Sequence, residues 1–410
     1  MKKLSIILFG LLALGCTPSP KEIPDWDFSA PSEEPAVSED PPESADPTQS
    51  EDPSAEAGRT EIPQYTDMVL LYGYSHHRKP YLWTDDIIKY YVEYSDPDGK
   101  KHWLFDAFLC LDFMDADNPE GNKTFITGYK HNGSYLESAD KSDWEKMIDY
   151  YCQENTGAGA IDKAVAAAKK TLGEPPHKRQ IVIGIPEPIQ YRFNNYGTDQ
   201  SGGTTYWGEL DGKTMDFNKS ADRLAAMKWF VDTAIEKFNA RNYENIELGG
   251  FYIVAERSDF LDDLLLPLGN YVSSMYYSFN WIPYFKAHGY YMWKEYGFTY
   301  AFMQPNYFFD DSIPESRLKE ACEIVVENGM GLEIEFDGKV LETSEYKWGY
   351  RLRDYMRYTE NYGVWEKSKL VYYQGSWAVK WMKDSSNSLD RQLYHDFCKW
   401  MIDRPIRDSH

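Results

Sequence analysis

Cysteine is scarce and scattered in this chain. Five occur in 410 residues, and none forms a C-x-x-C pair or a zinc-type cluster, which excludes thiol redox motifs and cysteine-based metal sites. The four that follow Cys16 (Cys110, Cys152, Cys322 and Cys398) are expected to be buried free thiols, in a fold that does not depend on disulfides. Positive charge is also short. Lys and Arg number 43 against 66 Asp and Glu, a formal net charge of −23, which disfavours unaided binding to nucleic acid or anionic lipid. No G-x-G-x-x-G loop follows the first apolar run, where Tyr72-Gly73-Tyr74-Ser75-His76 stands instead, so a dinucleotide fold has no support. No metal or other cofactor is expected. His76 and His77 are adjacent on an extended segment and point apart, so they do not chelate.

The chain is rich in apolar and aromatic side chains: 42% are hydrophobic and 16% aromatic, with 33 Tyr and 13 Trp, enough to fill a large core. Its ends differ. Lys2 and Lys3 precede the short apolar segment Leu4–Leu14, a secretory signal over residues 1–15 that is too short to span a bilayer. Cys16 follows the small Gly15. The arrangement resembles the bacterial lipobox, with Ala13 where that pattern usually carries Leu. The resemblance implies lipidation at Cys16 and an exported protein held on the outer membrane, facing the cell surface. An ordinary secretory signal containing a chance Cys is the alternative. Residues 16–63 hold ten of the 22 prolines, and their 13 acidic residues stand against only Lys21 and Arg59. Such a segment reads as a solvated, disordered tether, so contact with the membrane would run through the anchor alone.

From residue 64 to 405 short apolar runs alternate with amphipathic stretches. The strand-like runs are Thr66–Tyr74, Phe105–Phe113, Gln180–Ile189, Glu247–Arg257, Tyr271–Pro283, Phe298–Phe309, Gly329–Asp337 and Leu370–Val379. Helical periodicity is clearest over Asp140–Leu172, with a break at Thr156–Gly159, and over Ser220–Asn242, Pro314–Asn328, Glu345–Glu360 and Leu389–Asp403. Eight strand–helix units in alternation predict an α/β chain folded as a single (β/α)8 TIM barrel with long βα loops.

A barrel carries its chemistry at the carboxyl ends of its strands. Those ends fall at His76, Asp112, Glu187, Glu256, Asn280 and Trp281, Gln304 and Asn306, Glu333 and Glu335, and Gln374 and Trp377. In GMGLEIEFD the glutamates Glu333 and Glu335 share one strand face, opposite Leu332, Ile334 and Phe336, and Tyr252, Val254 and Glu256 alternate likewise. Both sets of carboxylates are expected to face the barrel interior. This placement resembles the (β/α)8 glycoside hydrolases of clan A. The resemblance implies an acid/base at Glu256, a nucleophile at Glu335 and a retaining mechanism. Ala255 stands where that clan has Asn, so a 2-hydroxyl contact would fall to Asn280 or Asn306. Ordinary ion pairing, Glu256 with Arg257 and Glu333 with a lysine, is the competing reading.

The stretches FDAFLCLDF, GIPEP, GFYIVAE, WIPYF, QPNYFF and GMGLEIEFD are together similar to a domain-of-unknown-function family of secreted and lipoprotein barrels from polysaccharide-degrading, Bacteroidetes-type bacteria. That similarity implies glycan chemistry without naming a sugar. Aromatics on the loops agree with it, since rings flanked by amides suit the apolar faces and hydroxyl edges of sugars. The candidates are Tyr129, Tyr135, Tyr191, Phe193, Tyr196, Tyr206 and Trp207 beside Asn194 and Asn195, with Trp281 and Trp377 at strand ends. Packing beneath the loops is the alternative for each. Asp112, Gln304, Asn306, Tyr307 and His76 complete the expected substrate contacts. The expected function is a surface-anchored glycoside hydrolase; the alternatives are a noncatalytic glycan-binding lipoprotein and a scaffold. Oligomeric state is not legible.

Overall fold

The computed structural model describes residues 59–73, 82–114, 123–127, 130–131, 134–190 and 206–409. The signal at 1–15, Cys16, nearly all of the tether, His76, His77, Tyr129, Tyr191, Phe193, Asn194, Asn195 and Tyr196 lie outside the described residues.

Eight parallel strands close into a barrel: β1 (Asp67–Tyr72), β2 (Ala107–Leu111), β3 (Arg179–Ile185), β4 (Ile246–Ile253), β5 (Ser278–Trp281), β6 (Tyr300–Met303), β7 (Gly331–Glu335) and β8 (Leu370–Tyr373). Chain order is also wall order. Closure comes where β1 pairs with both β2, from Met68↔Ala107 to Tyr72↔Leu111, and β8, from Asp67↔Leu370. The (β/α)8 expectation holds.

Around the wall run helices α1 (Asp85–Val92), α2 (Lys141–Tyr151), α3 (Gly157–Leu172), α4 (Ser220–Asn239), α5 (Asp262–Ser274), α6 (Ser316–Asn328), α7 (Gly349–Asn361), α8 (Val364–Lys367), α9 (Ala378–Asp384) and α10 (Ser388–Ile402). Two expectations need correction. Tyr271–Ser274 is the end of α5 rather than strand; Pro267 inside α5 masks its helical periodicity. Strict alternation also fails between β5 and β6, where the connection holds only a 3₁₀ turn at Tyr290–Met292. There Phe298 stacks on Phe279 at 4.5 Å and on Trp281 at 5.2 Å, so a loop aromatic covers the outside of β5 in place of a helix.

The alternation of faces is set by pairing. Val182, Gly250 and Ser278 form one inward layer, and Gly184, Tyr252 and Asn280 the next. Register shifts between Leu248 and Gly250, so a bulge at Gly249 sets which residues of β4 turn inward. A Cβ on Gly250 would lie 2.0 Å from Ser278 Oγ, so only glycine lets β4 and β5 approach this closely.

At the amino-terminal end Asp67 is wholly buried and joins Arg404, Arg407 (2.7 Å) and the Tyr372 hydroxyl (2.6 Å), tying β1 and β8 to the C-terminal segment. The cysteines Cys110, Cys152, Cys322 and Cys398 are free and buried. Among the described residues no helix is long and apolar enough to cross a membrane.

Candidate functional site at the carboxyl-terminal rim

Glu335 ends β7 and is paired across the ladder with Tyr373 of β8, as Glu333 is with Val371. Tyr373 meets Tyr72 of the neighbouring β1 edge-on at 5.7 Å, whereas Tyr372 and Phe336 pack outward on Phe397 of α10. Glu333 and Glu335 therefore share the inward face, as the sequence alternation predicts.

Glu335 has 0% of its surface exposed and sits among donors. The Tyr355 hydroxyl of α7 donates to Oε2 at 2.5 Å, the Tyr307 backbone N–H donates to the same oxygen at 3.3 Å, and Asn306 Nδ2 reaches Oε1 at 3.5 Å. All three suit an acceptor-only carboxylate. Burial, followed by the Glu335 charge, pushes the Tyr355 phenol well above its ordinary value, so it stays a donor. Asn306 takes the left-handed backbone that Asn tolerates, with φ of 50°, and its Oδ1 accepts from Phe285 N at 3.0 Å. Glu333 lies two residues deeper in the same stave and is likewise wholly buried, below the rim.

Glu256 stands three residues beyond β4 and is half-buried. Its carbonyl accepts from Tyr284 N at 3.3 Å, and the preceding Ala255 carbonyl accepts from Trp281 Nε1 at 2.9 Å, which fixes the end of the strand. Arg257 next to it donates through Nε and Nη2 to Asp259. Glu187, two residues past β3, is a third carboxylate of this rim, one for which the sequence suggested no role. It is buried and accepts from both Thr127 N (2.7 Å) and Thr127 Oγ1 (2.5 Å). Burial pushes its carboxyl upward despite those bonds.

Several expected substrate contacts are corrected. Trp207 is 1% exposed and packed on Trp144 (5.1 Å), Trp229 (5.4 Å) and Phe217 (5.5 Å), a satellite core rather than a platform. Trp281 is equally buried, on the outer face of β5. Asn280 points inward, but the Tyr65 hydroxyl (2.6 Å) occupies its Oδ1, and its Nδ2 donates to the Phe251 carbonyl (2.9 Å) and Ser278 Oγ (2.9 Å), leaving no amide for a sugar hydroxyl. Asp112 Oδ2 accepts from Gly73 N (3.2 Å) and Tyr151 OH (3.1 Å), joining β1 to α2. Gln304 is buried, donates to the Ile282 carbonyl at 3.0 Å and accepts from Asn306 at 3.2 Å. Tyr307 turns its ring away, beneath the Arg351 guanidinium at 3.8 Å, with its hydroxyl on Asp354 at 2.8 Å. For Asn280, Asp112, Gln304 and Tyr307 the polar group that the sequence offered to a ligand is met by another part of the fold. Trp377, half-buried at the start of α9, keeps its rim position.

The structure adds residues that the sequence did not single out. Phe113, Tyr72, Tyr373 and Phe309 form an edge-to-face chain with centroid spacings of 5.6, 5.7 and 5.3 Å, bordering Glu335. Tyr355 has no signal in the sequence, because it reaches Glu335 from a helix. Among the described residues no group of three or more His, Cys, Asp or Glu side chains is placed to hold a metal ion.

No curated protein matches the chain. Solved structures resemble it distantly. A GH18 chitinase from Pseudoalteromonas aurantia aligns with a TM-score of 0.37 at 9% identity, over 82% of this chain and 99% of that one. The intracellular xylanase TsXylA from Thermoanaerobacterium saccharolyticum gives 0.36 at 9% identity, over 76% and 86%. A tryptophan synthase α-subunit from Pyrococcus furiosus gives 0.32 at 8% identity, over 84% and 99%. Likenesses this remote leave the reaction open. The sequence itself is more specific: residues 67–399, from the first strand of the barrel to its last helix, match the domain of unknown function DUF4855, and the chain belongs to that family.

Proposed function

We propose that this protein is a glycoside hydrolase acting on a polysaccharide or glycan through Glu256 and Glu335. The observation that supports it best is Glu335: a carboxylate at the end of the seventh stave, turned inward and held by three donors, in a barrel whose fourth stave leads into Glu256. Burying a carboxylate inside a barrel is costly unless it is paired or used, and an apolar residue would serve packing better.

In this reading half-buried Glu256 gives its proton to the glycosidic oxygen as the bond to the anomeric carbon breaks. Glu335 Oε forms the new bond to that carbon. Water then attacks the same carbon, the bond to Glu335 breaks and restores its carboxylate, the water's proton goes to Glu256, and its hydroxyl completes the released sugar. The retaining course requires the two carboxyl groups about 5 Å apart. Trp377, half-buried at the start of α9, offers an apolar ring to the sugar. The test is reducing-end release across a glycan panel. Glu256→Gln is expected to lower turnover about a hundredfold or more while glycan binding persists; undiminished turnover removes Glu256 from the mechanism.

The second reading, a glycan-binding protein without catalysis, is favoured by one observation. Glu335 has no exposed surface, and Oε2 already receives Tyr355 and Tyr307. It predicts glycan affinity that depends on Trp377, with no bond cleaved by the wild type. For either reading we propose that Cys16 carries the lipid anchor and that the acidic tether holds the barrel off the outer membrane, at the cell surface. Cys16→Ser should then move the protein from the membrane fraction to the soluble fraction; unchanged partitioning refutes the anchor.

A further inference from the structure

At the opposite, amino-terminal end of the barrel, a cavity of about 350 Å³ opens beneath β1, β2 and β3. Its polar wall carries Asp106, His177, Arg179 and Arg407, and its apolar wall includes Trp103 and Leu172. Such a size lies within the range of small-molecule sites.

Three arginines meet at this end, Arg179 and Arg404 buried and Arg407 half-buried, and two of them are paired with Asp67. Arg404 is paired with Asp67 and donates to the carbonyls of Trp365 and Ser368. Arg407 is paired with Asp67 at 2.7 Å and donates to the carbonyl of Leu104 at 2.6 Å. Arg179, the first residue of β3, differs. It is 1% exposed, yet among the described residues its guanidinium makes no hydrogen bond or ion pair, and buried Nε has no partner. It lies over the face of Trp103, 4.8 Å from the ring centre.

The Asp106 charge favours the charged form of Arg179, but Asp106 makes no hydrogen bond or ion pair with it. Asp106 is already directed elsewhere: its oxygens take Thr66 N, Thr66 Oγ1 and Asp67 N, each at 2.8 Å, while His177 stands 3.9 Å away. The other cations of the wall have partners of their own, Lys101 with Glu93 at 2.8 Å and His102 with Asp96 at 3.2 Å. Burial lowers the Arg179 pKa to about 10, which still leaves the group charged at neutral pH. A buried guanidinium with its donors unused is costly, and its planar fork matches a carboxylate or phosphate in two parallel bonds.

We propose that this cavity binds a small organic anion, a carboxylate or a phosphate ester, anchored by Arg179 with Trp103 and Leu172 against its apolar body. The site is separate from the carboxyl-terminal rim and does not depend on the hydrolase reading.

The test titrates the whole protein with inorganic phosphate, glucuronate and benzoate at constant ionic strength, reading heat and thermal midpoint. Saturable binding with Kd below about 1 mM is expected for phosphate or for the carboxylates. Phosphate alone identifies a phosphate ester, and the carboxylates alone identify an organic acid. Arg179→Gln should weaken that binding about tenfold or more, while its midpoint without anion stays at or above the wild-type value, because an unpaired buried charge has gone. A purely structural arginine would instead lower the anion-free midpoint. Should the variant fail to fold, crystals of the wild type grown with the responding anion must show it within hydrogen-bond distance of Arg179. The proposal is overturned if no anion acts beyond the chloride control, if Arg179→Gln responds as the wild type does, or if the anion lies elsewhere.

Discussion

Replacing Tyr355 with Phe removes one oxygen atom from a buried site and tests how Glu335 is held. Tyr355 contacts that carboxylate at 2.5 Å, while two other donors, Tyr307 N at 3.3 Å and Asn306 Nδ2 at 3.5 Å, are long. Neither can replace a phenol without movement of the β6–α6 loop. A hydrogen bond to a charged group contributes about 1.5–3 kcal/mol, and the deleted hydroxyl leaves only a small void. Tyr355→Phe should therefore destabilise the fold by about 1.5–3 kcal/mol in urea unfolding followed by tryptophan fluorescence. The cause can be isolated with Glu335→Gln. A neutral amide still accepts from the phenol, but for only about 0.5–1.5 kcal/mol, so in that background the same substitution should cost correspondingly less. Equal costs in the two backgrounds would show that Tyr355 contributes by packing alone, and that Glu335 is not positioned by this contact.

Two further outcomes follow from the buried titratable groups. Burial alone would raise the Asp67 carboxyl, but Arg404, Arg407, Tyr372 and Thr66 outweigh it and hold the group below its usual range; this stability is present above the ordinary Asp value and is lost as pH falls through the folded one. Asp67→Asn strands two arginines and should cost about 3–5 kcal/mol near neutral pH, measured by denaturant unfolding, with a shallower acid limb than the wild type; a loss below about 1 kcal/mol refutes the pairing. Burial first of all pushes the phenols of Tyr65, Tyr91, Tyr151, Tyr355 and Tyr372 well above their ordinary value. Above about pH 10 the unfolded chain releases these protons and the native state keeps them, so stability should fall by about 1.4 kcal/mol per pH unit for each tyrosine. A flat alkaline limb to pH 11.5 in thermal melts would contradict that burial.

The sequence by itself determined the architecture. Eight short apolar runs bounded by polar residues specify the staves, and the alternation in GMGLEIEFD turns Glu333 and Glu335 inward, because side-chain period and burial are local properties of a strand. Helix α5 escaped because Pro267 interrupts its pattern, and the missing helix after β5 escaped because an aromatic loop performs the covering. Only the tertiary structure decided which polar and aromatic side chains remain available. Asn280, Asp112, Gln304 and Tyr307 each find a partner on another element, and Trp207 and Trp281 are covered by rings far from them in the chain. The same long-range packing brings Tyr355 to Glu335 and leaves the Arg179 guanidinium without a hydrogen-bond partner among the described residues. A residue's type is set by its own position, but whether its hydrogen bonds are satisfied depends on neighbours that the chain supplies only once the barrel has closed.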